Sequence, residues 1–149
     1  MTAKERAIAL LDRRDYSRRE LIRKLMEKGE DPTEAEEAVD HLVEIGFVND
    51  SRYSKLLVRH YAAKGYGEGR VKQELSRRGI DKELWDEALT EMPEQDDAID
   101  RFIARRLRGG EPDRKELKKV TDALLRRGFT YEEVRSAMLR YNSSIGEYD

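Results

Sequence analysis

The chain of 149 residues contains no cysteine. That excludes disulfides, thiolate metal sites and cysteine nucleophiles. Histidine is nearly absent. His41 and His60 stand apart, without a metal-ligand spacing such as His-Glu-x-x-His, and read as structural residues. There is no long apolar run, and the N-terminus Met1-Thr2-Ala3-Lys4-Glu5-Arg6 has no signal-peptide character, so a soluble cytoplasmic protein without membrane contact is expected. An excess of one charge is also missing: 30 basic and 32 acidic residues leave a net charge of −2. A protein that coats DNA by bulk charge needs a clear positive footprint, which this one lacks.

What is present is charge of both signs, at 42%, against 38% hydrophobic residues. That balance favours slender helices with narrow apolar stripes over a thick core. Disorder is the competing reading for so charged a chain, but capped helices with regular apolar spacing run nearly end to end. The charge is uneven. Residues 1–50 hold 9 basic and 13 acidic residues, and residues 51–92 hold 9 and 7. Local basic clusters and a partner of mixed charge are therefore expected.

The strongest pattern is a repeat. Gly29, Gly79 and Gly128 are spaced by 50 and 49 residues. Eight before each stand Leu21, Val71 and Val120; four before, Leu25, Leu75 and Leu124; nine after, Ala38, Ala88 and Ala137. A fixed period of this size marks a repeat architecture. Each glycine follows a cation (Lys28, Arg78, Arg127) that complements a helix C-terminus. Two residues later comes an N-cap candidate, Asp31, Asp81 or Thr130. Thr130 and Glu133 form a capping box, as do Ser17 and Glu20. Asp50 is the candidate cap of the helix that opens the second repeat, and Asp113 caps one in the third.

The expected fold is therefore all-α: three tandem three-helix repeats in an elongated, curved, solenoid-like body. The boundaries are 1–49, 50–95 and 96–141, with a flexible tail at 142–149. Pro93-Glu94-Gln95-Asp96-Asp97 reads as a linker, and Gly109-Gly110-Glu111-Pro112 as a helix break.

Candidate chemistry is sparse. Gly65-x-Gly67-x-Gly69 lacks the third glycine of a dinucleotide fingerprint, because position 70 is Arg70, and it follows a helix rather than a strand. It reads as a tight corner. Carboxylates abound but read as solvated helix faces with i,i+4 partners, so no enzyme, cofactor or metal is expected. The basic positions are more informative. Arg13, Arg14, Arg18, Arg19, Arg23 and Lys24 gather in repeat one; Arg105, Arg106, Lys115, Lys118 and Lys119 gather in repeat three. Tyr16 lies within the first group and Tyr66 beside Arg70, a pairing that suits protein interfaces, base stacking or core packing.

Three motifs carry a family likeness. The first is Arg14-x-Tyr16-Ser17-x-x-Glu20-Leu21-x-x-Lys24-Leu25-x-x-Lys28-Gly29. The second is Leu42-x-x-x-Gly46-Phe47-Val48-Asn49-Asp50-x-Arg52-Tyr53. The third is Arg59-x-x-x-x-Lys64-Gly65-Tyr66-Gly67-x-x-Arg70-Val71-x-x-Glu74-Leu75-x-x-Arg78-Gly79-Ile80. In these the chain resembles the RecX family, bacterial modulators of the RecA recombinase. The resemblance implies a protein that binds the RecA filament on single-stranded DNA and restrains its ATP hydrolysis, strand exchange and co-protease activity in DNA repair and the SOS response. It implies no catalytic step. A monomer is expected, with direct DNA contact weak, and the alternative is a helical module acting on nucleic acid itself. The candidate contact residues are the basic and tyrosine positions named above, together with Arg52.

Overall fold

The computed structural model describes residues 1–108 and 110–146, the last three of these by backbone alone. Nine α-helices are found among them and no strand: α1 Ala3–Leu11, α2 Arg18–Glu27, α3 Pro32–Glu44, α4 Asp50–Ala63, α5 Glu68–Arg77, α6 Trp85–Leu89, α7 Asp96–Leu107, α8 Arg114–Arg126 and α9 Tyr131–Gly146. A single 3₁₀ turn, Lys82–Leu84, leads into α6. The helices follow one another as three groups of three. No helix among the described residues is long and apolar enough to cross a membrane.

Two compact units divide the chain: Met1–Val58 with Gln73–Glu91, and Arg59–Lys72 with Met92–Asp149. In the first, the apolar stripes of α1, α2 and α3 close on a core of Ala7, Tyr16, Leu21, Leu25, Ala35, Val39, Leu42 and Val48. The second has its core on α7, α8 and α9, from Ile99, Ile103, Leu107, Val120, Leu124, Phe129, Val134 and Ala137. Narrow stripes suffice because each helix in these bundles buries only one face.

The repeated corners share one geometry. Gly29, Gly79 and Gly128 all have positive φ, at 98°, 77° and 96°. In each, the glycine amide donates to the carbonyl three residues back, and the next amide reaches five back: Glu30 to Leu25 at 3.0 Å, Ile80 to Leu75 at 3.0 Å, Phe129 to Leu124 at 3.2 Å. This is the Schellman closure, which satisfies carbonyls a helix end leaves orphaned.

The caps divide into those expected and two that are not. Ser17 with Glu20, and Thr130 with Glu133, form both bonds of a capping box. Asp31 and Asp113 cap α3 and α8. Asp81, however, makes no capping bond. Its carboxylate pairs instead with Arg19 at 2.9 Å, and the chain enters α6 through the 3₁₀ turn. Nor does Asp50 cap α4. The side chain of Asn49 accepts from the Arg52 amide at 3.0 Å, which frees Asp50 to accept the Arg18 amide at 2.9 Å at the start of α2. A carboxylate placed there satisfies an orphan donor and the positive helix end together.

Of the tail expected to be flexible from residue 142, the part to Gly146 continues α9, and residues 147–149 lie outside the described residues, as does Gly109 of the expected break.

Candidate basic interface

The first basic cluster is built on the loop before α2 and on α2 itself, and most of its charge is matched by neighbours. The Arg14 guanidinium lies 3.6 Å from the centroid of the Tyr16 ring and 3.4 Å from Glu20. Arg18 bonds Asp40 at 2.7 Å, which holds the Asp40 carboxyl below the usual range. Arg19 meets Asp81, and Lys24 lies 3.8 Å from Glu27. Tyr16 is buried in the core, with 8% of its surface exposed. Arg13 and Arg23 are exposed and have no carboxylate in ion-pair range among the described residues. Arg23 lines a shallow depression on α2 with Ile22 and Met26. Arg52 is exposed on the first turn of α4.

Glu20 is the hub of this region. It is buried, closes the capping box on the Ser17 amide, and faces Arg14 and, at 3.7 Å, Arg78. Burial first, and then the charge of Glu20, push the neighbouring Tyr53 hydroxyl up to about 12. Burial likewise raises Asp50.

The second unit is electrostatically different. Lys64 and Gly65 beyond α4, Arg101, Phe102, Arg105 and Arg106 on α7, and Arg127 and Phe129 at the α8–α9 corner line a cleft of about 480 Å³. Beside it lies a depression of about 580 Å³ that shares Lys64, Arg106 and Arg127 and adds Tyr66, Arg70 and Arg126. Seven cations line the two and, among the described residues, no carboxylate does. Aromatic rings orient several of them. The guanidinium groups of Arg106 and Arg127 each lie 4.8 Å from the centroid of Phe102, and Arg70 lies 4.6 Å from that of Tyr66, whose ring stacks on Tyr61 at 5.8 Å. A cation resting on a ring loses less freedom when it binds an anion.

The cleft can hold negative charge. Among the described residues, no group of His, Cys, Asp or Glu could hold a metal ion.

Of the positions singled out from sequence, the structure thus gathers Tyr66, Arg70, Arg105 and Arg106. Lys115, Lys118 and Lys119 lie outside the cleft's lining, nearer the start of α8, and Lys118 bonds Asp122 at 3.0 Å. Sequence reasoning missed Lys64, Arg101, Arg126 and Arg127 as members of the site. Arg101 sits four residues before Arg105, the helical spacing that puts two side chains on one face and the one local signal available.

The cleft is formed within a chain that family models match along most of its length. Family models describing the RecX first, second and third three-helix domains match residues 3–42, 49–89 and 94–138. The chain belongs to the RecX family. The regulatory protein RecX of Xanthomonas axonopodis pv. citri is 38% identical over 138 residues, 91% of this chain and 85% of that protein. The RecX of Vibrio vulnificus is 34% identical over 140 residues, covering 93% and 92%. In fold, a crystal structure of RecX from Lactobacillus salivarius superposes with a TM-score of 0.84 over 94% of both chains at 21% identity. A second crystal structure of a regulatory protein RecX gives 0.82 at 22% identity, over 91% of this chain and 71% of its own. RecX likeness therefore extends through all three helix groups, including the third, where the sequence motifs are least sharp.

Proposed function

We propose that this RecX-family chain binds the filament RecA forms on single-stranded DNA, and restrains its ATP hydrolysis, strand exchange and co-protease activity. Membership of a family of regulatory proteins along all three domains carries this reading. The basic cleft of the second unit supports it physically, since a nucleoprotein filament offers phosphate and acidic side chains to such a surface. The chain would act in the cytoplasm, as a monomer, by differential affinity for one state of the filament and without catalysis. Contacts spread over several helix groups suit a partner made of repeating protomers, because linked weak contacts add up when all can engage together.

The test is titration into RecA hydrolysing ATP on single-stranded DNA, with filament length followed in parallel. Slower hydrolysis and shorter filaments at substoichiometric protein are expected. Unchanged activity and length up to excess protein would remove the reading.

A second reading has one observation in its favour, the absence of any carboxylate of the described residues from the cleft lining. On it, the chain binds nucleic acid without RecA. It predicts tight binding to naked single strands with a steep salt dependence, about −0.7 per phosphate contacted on a log–log plot. The net charge of −2 argues against this as the main activity.

A further inference from the structure

The two units contain the same junction built twice, with one difference. In the first, the α5–α6 corner seats on the N-terminus of α2. A Cβ on Gly79 would stand 3.0 Å from the Arg19 Cβ, and the Ser17 hydroxyl donates to the Arg78 carbonyl at 2.6 Å. In the second, the α8–α9 corner seats on the N-terminus of α5. There the Gly67 amide donates to the Arg127 carbonyl at 2.7 Å and the Gly69 amide to the Gly128 carbonyl at 3.0 Å. The repeat places Gly67 where Ser17 stands, Arg127 where Arg78 stands, and Gly128 where Gly79 stands.

The acids do not repeat. Glu20, the buried partner of Arg78, becomes Arg70, and Asp81, the partner of Arg19, becomes Thr130. Arg127 has no carboxylate in ion-pair range among the described residues, and its guanidinium rests on Phe102. The nearest acid at the start of α5, Glu68, pairs with Lys72 at 3.2 Å. The second junction therefore holds the cation of the first without its counter-charge, and adds Lys64, Arg106 and Arg126 beside it.

We propose that this junction is a phosphate site, in which a bound oxyanion takes the place that the Glu20 carboxylate fills in the first. Arginine predominates there, and its planar fork matches phosphate oxygens two at a time. One carboxylate could not balance Lys64, Arg101, Arg105, Arg106, Arg126 and Arg127 around the two hollows, whereas successive phosphates of a strand can. Binding draws the α8–α9 corner and the α5 N-terminus together, so phosphate stabilises the fold. Inorganic phosphate and a nucleic-acid strand share this chemistry. That the strand is the one within the RecA filament rests on the function proposed above; the site itself does not.

The experiment omits RecA. Thermal unfolding of the full chain is compared in sodium chloride, inorganic phosphate, a short oligothymidylate and polyglutamate at matched ionic strength. Phosphate and oligothymidylate are expected to raise Tm above the chloride value, and polyglutamate to leave it unchanged. A rise with both identifies a site that accepts any phosphate, and a rise with oligothymidylate alone one that requires a strand. Arg106→Gln should weaken the oligothymidylate effect roughly tenfold, as loss of a charge-assisted pair does. Arg70→Glu puts an acid where Glu20 stands in the first junction, so it should flatten the phosphate response. Should that variant fail to fold, Arg106→Gln decides alone. Equal responses to all four solutes, a polyglutamate response matching that of phosphate, or an Arg106→Gln response equal to the parent's would overturn the site. Each of these results leaves RecA inhibition standing, and loss of RecA inhibition leaves the phosphate response untouched.

Discussion

The Ser17 hydroxyl donates a 2.6 Å hydrogen bond to the carbonyl of Arg78, while accepting the Glu20 amide at 3.1 Å. One fully buried oxygen thus caps α2 and fastens the corner that follows α5. Ser17→Ala removes both bonds and strands a buried carbonyl and an amide, so it should cost about 2–3 kcal/mol. Urea unfolding measures this directly. A loss within about 0.5 kcal/mol, the range of an ordinary surface change, would mean the junction does not depend on the hydroxyl.

Two glycines of nearly equal φ separate backbone strain from close packing. Gly29 and Gly128 stand at 98° and 96°. A Cβ on Gly29 meets nothing within 4 Å, whereas one on Gly128 collides with the backbone of Arg70. Gly29→Ala should therefore cost only the left-handed penalty, roughly 1–2 kcal/mol. Gly128→Ala must also displace α5 from the corner, and should exceed about 4 kcal/mol or prevent folding. Equal losses in denaturant would show the second junction to be loosely seated.

Alkaline pH offers a probe of the first unit. Tyr53 titrates near pH 10 in an unfolded chain but is held up to about 12 in the fold, by burial first and by Glu20 second. Its folded pKa is raised, so its contribution to stability is complete below about pH 10 and lost as the pH climbs through about 12. Tyr53 should give a late phase in the tyrosinate absorbance, complete only as the protein unfolds. Tyr53→Phe should remove the lagging phase and lessen the loss of stability above pH 10. A parent whose tyrosinate absorbance has no phase that Tyr53→Phe removes would contradict the buried environment.

If the second unit carries the filament contact, charge reversals will be unequal. Arg105→Glu with Arg106→Glu should raise the protein needed for half-inhibition of RecA ATPase at least about tenfold, and lower the salt dependence. Arg18→Glu with Arg19→Glu breaks the pairs with Asp40 and Asp81, exposed bridges worth about 0–1 kcal/mol each, and should shift inhibition less than about threefold. The reverse ordering would move the contact to α2, where Arg23 is the exposed candidate.

Much of the architecture is written in local chemistry. A Gly-terminated helix, a cation before it and a capping oxygen after it depend only on residues within a turn of one another, so three corners and their period could be read directly. The two capping expectations that changed, at Asp50 and Asp81, did so because carboxylates distant in sequence from Arg18 and Arg19 are near them in space. The same reason hid the site. Seen in sequence, Arg18 and Arg19 look as available as Arg105 and Arg106; only the fold brings Asp40 and Asp81 to the first pair and, among the described residues, further cations but no carboxylate to the second.

The sequence by itself determined the helices, most of their caps and the repeat, because those follow from backbone closure and apolar spacing over a few residues. Tertiary structure decided which charges cancel and which remain. Gly67, Gly69 and Gly128 matter for the same reason: without side chains they let two helix ends approach at backbone distance, and that approach sets Arg127 beside Lys64 and Arg70. Electrostatic energy depends on separation in space, and nothing in the order of residues records that separation.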